Sequence, residues 1–306
     1  MATVYINNVT GDDTTGDGTY NNPWENVSHA SNNTSSGDTI VFQNSGSVYN
    51  YGSYVPRIAN RIWEGELDSN DEVVVELECG ETWTSAITID NPHTVKNLIL
   101  SKMNSSSLKL QNTSQQGLYT LSANITITFE NVIVKDWYCG NSQNRADRGS
   151  VFFVGTGLNC AFNFTRCVFR NLGRASGSNR QFLIAANTGE FTVNYTNCTI
   201  DMTPPSGTNA WSQFIASQSS SGTKVVTFRN SVVYGDFTNT CEFIDNTVTD
   251  DMNYADNIVH EAGSGGFSAI TIGNCITSDP DFVDSANGDY TYNTGSPALG
   301  AGDISI

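Results

Sequence analysis

Apolar and polar positions along this chain alternate in runs of about five residues, the pattern of half-buried strands. No segment sustains a helical rhythm. One six-residue pattern returns: VKNLIL from Val95, FENVIV from Phe129, FTRCVF from Phe164, YTNCTI from Tyr195, FRNSVV from Phe228, YADNIV from Tyr254 and IGNCIT from Ile272. Successive starts lie 34, 35, 31, 33, 26 and 18 residues apart. The first position is mostly aromatic. The third is Asn97, Asn131, Arg166, Asn197, Asn230, Asp256 and Asn274, and the fourth is Leu98, Val132, Cys167, Cys198, Ser231, Asn257 and Cys275.

A second motif falls between these. GSVFFV ends at Val154, RQFLIA at Ala185, SQFIAS at Ser217 and CEFIDN at Asn246, each after a loop rich in Gly, Asn, Pro or Arg. One period therefore holds at least two short strands and variable loops. A propeller blade needs four strands and about 40 residues. A β-sandwich needs no long register. A period that shrinks while its strands persist predicts an all-β, single-domain parallel β-helix, with equivalent residues stacked about 4.8 Å apart. Asn97, Asn131, Asn197 and Asn230 should then stand in one file and share amide hydrogen bonds. Cys167 should lie over Cys198 as a small core residue. The aromatic file could face inward or line the outer wall, and the pattern leaves both open.

A solenoid must cover its terminal strands. Residues 1–40 read as a cap: a strand at Val4–Ile6, a Gly/Asp-rich loop, and a short helix over Glu25–Ala30, with Trp24 and Val27 covering the first coil. Residues 41–277 read as the coils, although 40–95 resist alignment. Residues 278–306 read as a loop-rich second cap, with Phe282, Tyr290, Tyr292 and Leu299 available to plug the last coil. These ends resemble the right-handed parallel β-helix proteins of the pectate-lyase-like superfamily. The resemblance rests on the strand, loop and Pro23-Trp24 of the first cap. At the other end it rests on Asp279-Pro280-Asp281-Phe282, Gly288-Asp289-Tyr290 and Gly295-Ser296-Pro297-Ala298. It implies the fold more than an activity, since that superfamily holds polysaccharide lyases, hydrolases, adhesins and phage virion proteins.

Charge narrows the partners. With 14 Lys and Arg against 31 Asp and Glu, the net charge is −17. That argues against nucleic acid, whose phosphates need a cationic surface, and against anionic membranes. The N-terminal MATVYINNVTG lacks a basic region before an apolar run, so no export signal is expected. No stretch approaches the length of a membrane span. The seven cysteines, Cys79, Cys139, Cys160, Cys167, Cys198, Cys241 and Cys275, contain no CxxC pair and read as free thiols from a reducing cell.

Half of the 14 basic residues fall between positions 135 and 180. Lys135, Arg145, Arg148 and Arg174 are the candidates for catalysis. Arg170 and Arg180, with Trp137, Tyr138 and Trp211 as stacking faces, are candidates for ligand or interface contact. Solvated loop arginines explain the same cluster. The Asp12-Asp13-Thr14-Thr15-Gly16-Asp17 loop could hold Ca²⁺ through Asp12, Asp13 and Asp17, but it departs from EF-hand spacing, and no cofactor is otherwise expected. His29, His93 and His260 stand far apart, and no paired-Asp hydrolase motif is present. The expectation is a virion structural protein of a tailed phage: a decoration, fibre or spike component assembled in the host cytoplasm. It would form a homo-oligomer, a trimer by analogy, docked on capsid or tail proteins and able to touch host-surface polysaccharide. The alternatives are a polysaccharide lyase acting on an acidic polymer and a non-catalytic carbohydrate-binding adhesin.

Overall fold

A computed structural model describes residues 1–50, 61–79, 87–89, 92–102, 119–121, 124–139, 152–154, 158–174, 184–186, 190–204, 213–217, 223–235, 241–244, 249–251, 256–261, 267–268 and 273–302. In the third sheet only the backbone is described. Among the described residues the strands form three parallel sheets of nine, eight and seven strands, and from Ile62 onward the chain visits them in rotation, so each of those coils lays one strand on each sheet. The chain is a parallel β-helix. Crossovers between parallel strands wind right-handed in about 98% of cases.

The recurrent six-residue pattern is a corner. Its first two residues end a strand of the first sheet, its third turns the chain, and its last two begin a strand of the second sheet. Register confirms the alignment: Val95, Phe129, Phe164, Tyr195 and Phe228 are successive partners. The turn residues Asn97, Asn131, Arg166, Asn197 and Asn230 all have φ between 48° and 55°. Asn tolerates this left-handed conformation better than other residues bearing a Cβ, which is why it returns here. The Asn131 amide donates to Asn97 Oδ1 at 2.9 Å. Arg166 interrupts the amide file and reaches sideways to Glu130 at 2.6 Å. Asn131→Ala should therefore cost about 1–2 kcal/mol, from strain in the turn plus the lost ladder bond. Asn131→Gly should cost less, because it keeps the turn. Urea unfolding of both variants checks the order.

The aromatic file points inward. Phe129, Phe164, Tyr195 and Phe228 are buried, with consecutive centroids 4.9, 5.0 and 4.9 Å apart and planes within 14°. Beside it run Leu98, Val132, Cys167, Cys198, Ser231 and Asn257, all buried. Cys167 and Cys198 are free thiols that donate to the Phe129 and Phe164 carbonyls at 3.5 and 3.4 Å. Burial pushes the Cys167 thiol well up, and neighbouring Cys198 adds to this. Cys160 and Cys275 are likewise thiols outside any disulfide.

Three expectations need correction. In the third sheet, Val154 pairs with Ala186, one residue beyond the Ala185 that the motif suggested. Loops of different length hide the hydrogen-bonded register, which alone fixes the pairing. The described strands of residues 40–95 stack in register, with Thr39–Phe42, Ile62–Gly65 and His93–Lys96 consecutive in the first sheet. They escaped alignment because Gly65 stands one coil before Asn97, where a Cβ would meet the Asn97 carbonyl at 2.2 Å. The helix is Val27–Asn33, later than expected, because the Asp13 carboxylate takes the Glu25 and Asn26 amides at 2.8 and 3.0 Å. Trp24 and Val27 do pack against the core as the first cap requires.

Candidate functional site

The second sheet carries the chemistry. Its inward file is apolar: Leu77, Leu100, Val134, Phe169, Ile200, Val233 and Val259 are all buried. Alternation turns the following residue of each strand outward. That outer file reads Glu78, Ser101, Lys135, Arg170, Asp201, Tyr234 and His260. Arg170 stands beside Asp201 because Phe169 pairs with Ile200.

Residues 279–302 do not close the end of the last coil. They fold back along the outer file as a strap, and Leu299 is 56% exposed. Phe282–Asp284 and Asp289–Tyr292 form an antiparallel hairpin. Every covered rung has its own contact. Asp279 lies 3.8 Å from the His260 ring. Phe282 meets Tyr234 edge-on at 5.8 Å and stacks on Tyr292 at 5.5 Å. The Tyr290 hydroxyl donates to Asp201 at 2.8 Å, and Arg170 donates to the Asn287 carbonyl at 3.3 Å. Burial raises the Asp201 carboxyl, opposed by donation from Thr203 and Tyr290 and by the Arg170 charge. The Ser296 hydroxyl ties the strap back to the Pro280 carbonyl.

Beyond Arg170 the strap stops and the file continues. Lys135 Nζ pairs with Glu76 at 2.8 Å and lies 3.9 Å from Asp136, with side-chain exposures of 18, 22 and 30% for Lys135, Glu76 and Asp136. The buried Ser101 hydroxyl donates to Glu76. Burial, then the Glu76 charge, raises the Glu78 carboxyl, and Lys135 opposes them. Asp136 and Asn171 both turn with positive φ, near 57° and 54°, and the Asn171 amide donates to Asp136 at 2.9 Å. This is a second ladder of left-handed corners.

Of the sequence candidates, Lys135 and Arg170 are neighbours in this file. Arg174 pairs with Cys139 at the end of the same strands, and Trp137 and Tyr138 sit opposite Leu172 and Gly173. Arg145, Arg148, Arg180 and Trp211 lie outside the described residues. In the first cap, Asp12 takes the Thr14 and Thr15 amides, Asp17 takes Thr19, and Asp13 caps the helix start. Among the described residues no three His, Cys, Asp or Glu side chains gather as metal ligands. Sequence reasoning missed Glu78, Ser101, Asp201, Tyr234 and His260. Yet Ser101, Lys135, Arg170, Asp201, Tyr234 and His260 are each the seventh position of the aligned repeat, one past the motif as it was cut.

No protein-family model and no curated protein matches the sequence. Among solved structures, the chain is similar to a rhamnogalacturonan lyase at 12% identity, with 92% of this chain over 91% of that one and a TM-score of 0.47. It is also similar to the GH136 lacto-N-biosidase from Eubacterium ramulus at 10% identity, with 91% of this chain over 67% of that one and a TM-score of 0.34. None of these matches carries a residue or a reaction over to this chain. Among the described residues no helix is long and apolar enough to cross a membrane.

Proposed function

We propose that this chain is a rigid β-helical module that holds glycans without cutting them, as one of several identical subunits in a tailed-phage particle. One observation carries the reading: the unbroken inward column from Phe129 to Phe228, at 4.9 to 5.0 Å spacing. It ties successive coils into one stiff body, which suits a load-bearing part. The described cations of the basic region are committed within the chain: Lys135 to Glu76, Arg166 to Glu130 and Arg170 to Asn287. Binding is therefore favoured over cleavage.

Three measurements test the reading. Light scattering on the purified chain should give a homo-oligomer, with a trimer expected, and a strict monomer counts against the particle role. Density-banded phage particles from the source culture should contain the chain by mass spectrometry, and its absence from them removes that role. A panel of polysaccharides should show binding without release of reducing or unsaturated ends. Such release, lost in Arg148→Ala and Arg174→Ala, would replace this reading with a lyase.

A further inference from the structure

Two polar side chains are buried in the core where the coils begin. Arg61 and His93 are neighbours on adjacent coils of the first sheet, because Ile62 pairs with Thr94 and the Arg61 carbonyl takes the Thr94 amide at 3.1 Å. Arg61 is 6% exposed and His93 2%. The Arg61 Nη2 donates to the Thr34 carbonyl at 2.5 Å, at the end of the Val27–Asn33 helix. Its Nε and Nη1 have no hydrogen-bond partner. Neither have the two ring nitrogens of His93, nor the hydroxyl of Ser31, which is 3% exposed and stands one helical turn before Thr34. Buried polar atoms nearly always find partners, so five orphans on neighbouring elements mark a missing occupant.

We propose that Arg61 holds a buried monovalent anion of chloride size, between the cap helix and the first coils. The guanidinium offers only donors, so whatever meets Nε and Nη1 must accept. Among the described residues no carboxylate pairs with it. Asp38 is the acid whose charge reaches Arg61, and its two oxygens are taken by the Ala2 and Ser35 amides at 2.6 and 2.8 Å. Burial pulls the Arg61 pKa below its ordinary value, and the Asp38 charge opposes this. A water would accept a hydrogen bond and leave the buried charge uncompensated, which is costly. An anion supplies both the acceptor and the counter-charge. One guanidinium balances one negative charge, so a divalent ion would leave a net charge in the core. All five orphan atoms are sealed from solvent, which selects a small ion over a bulky one. The Ser31 hydroxyl and a neutral His93 ring each have a proton to donate to the same ion.

The test is thermal unfolding of the full chain at about pH 8, where His93 is neutral in both the folded and the unfolded state. Sodium chloride is compared with sodium methanesulfonate at equal ionic strength, the second anion being monovalent but bulkier. The expected result is a midpoint that climbs about 2–4 °C per tenfold rise in chloride once the site fills, as binding to the folded state alone requires. Methanesulfonate should give no such climb. Arg61→Met keeps an unbranched chain and removes the charge, so its midpoint should not respond to chloride. Crystals grown in bromide supply a reading that needs no variant: an anomalous peak beside Arg61. A chloride response that persists in Arg61→Met overturns the proposal by moving the ion elsewhere. Equal midpoints in the two salts, or a bromide map with no peak at Arg61, overturn it as well and leave a buried water as the occupant. None of these outcomes bears on the glycan-holding reading.

Discussion

Phe164→Ala is expected to lose about 3–5 kcal/mol of stability, the cost of emptying a large aromatic site in a packed core. Phe164 is 1% exposed. It lies 4.9 Å from Phe129 and 5.0 Å from Tyr195 in the column, and its ring meets Phe169 edge-on at 5.2 Å. Deleting it removes area burial and also two stacked pairs and one edge contact, each worth about 0.5–1.5 kcal/mol beyond area. Neighbouring coils cannot close the gap, because their spacing is set by the backbone ladders on all three sheets. Urea unfolding followed by tryptophan fluorescence measures the change. Val283→Ala, at a position 51% exposed on the strap, is the control and should stay within about 0.5 kcal/mol. A loss at Phe164 no larger than at Val283 would contradict the inward column.

Acid should weaken the fold through His93, by about 3 kcal/mol between pH 6.5 and pH 4. His93 begins a strand of the first sheet, is 2% exposed, and meets Trp63 edge-on at 5.3 Å. Burial pushes its pKa down to about 4, and the adjacent Arg61 charge pushes the same way. The Arg61 carbonyl opposes this, yet no ring nitrogen has a partner in hydrogen-bonding geometry. The sign follows. Above pH 6.5 neither state protonates the ring, so the histidine contributes no pH dependence. Below it the unfolded chain takes a proton that the folded chain refuses, and stability falls by about 1.36 kcal/mol per pH unit. Below about pH 4 both states are protonated and the loss levels off. His93→Phe fills the same space with a ring that cannot titrate. It should match the wild type near neutrality and exceed it by about 3 kcal/mol at pH 4. Unfolding midpoints across that range check it. Equal slopes in the two proteins would show that the ring is accessible to protons in the folded state.

The corner of the coil was legible because one position does two jobs. Asn at the third place of the motif takes a left-handed turn and can donate to the Asn one coil away, as Asn131 does to Asn97, so it stands at Asn97, Asn131, Asn197 and Asn230, with Arg166 the exception. Cys167 and Cys198 were legible for a related reason: the position behind the corner is buried in every coil, with Leu98, Val132, Ser231 and Asn257 as their equivalents. Where the corner is built differently, as at Gly65, the signal vanishes and the coils before Asn97 look irregular. The third sheet was read one residue out of register at Ala185, since loops of unequal length precede each of its strands.

The candidate site was half legible. Lys135 and Arg170 stood out as cations in an acidic chain, but their partners did not. Glu76 lies 59 positions before Lys135, and Asn287 lies 117 positions after Arg170. Nothing local in the sequence links such pairs. Asp201 and Tyr290, 89 positions apart, meet only because the strap reverses direction.

By itself, then, the sequence determined the coil: a corner residue that must accept positive φ, and strands that must bury alternate side chains, repeat wherever the backbone repeats. The tertiary structure alone decided that the aromatic column faces the core, that the C-terminal segment lies along the flank of the second sheet, and that it reaches four rungs of the outer file, His260, Tyr234, Asp201 and Arg170. Those outcomes depend on which distant surfaces fit one another once the coils are stacked, and complementarity of that kind leaves no periodic trace in the chain.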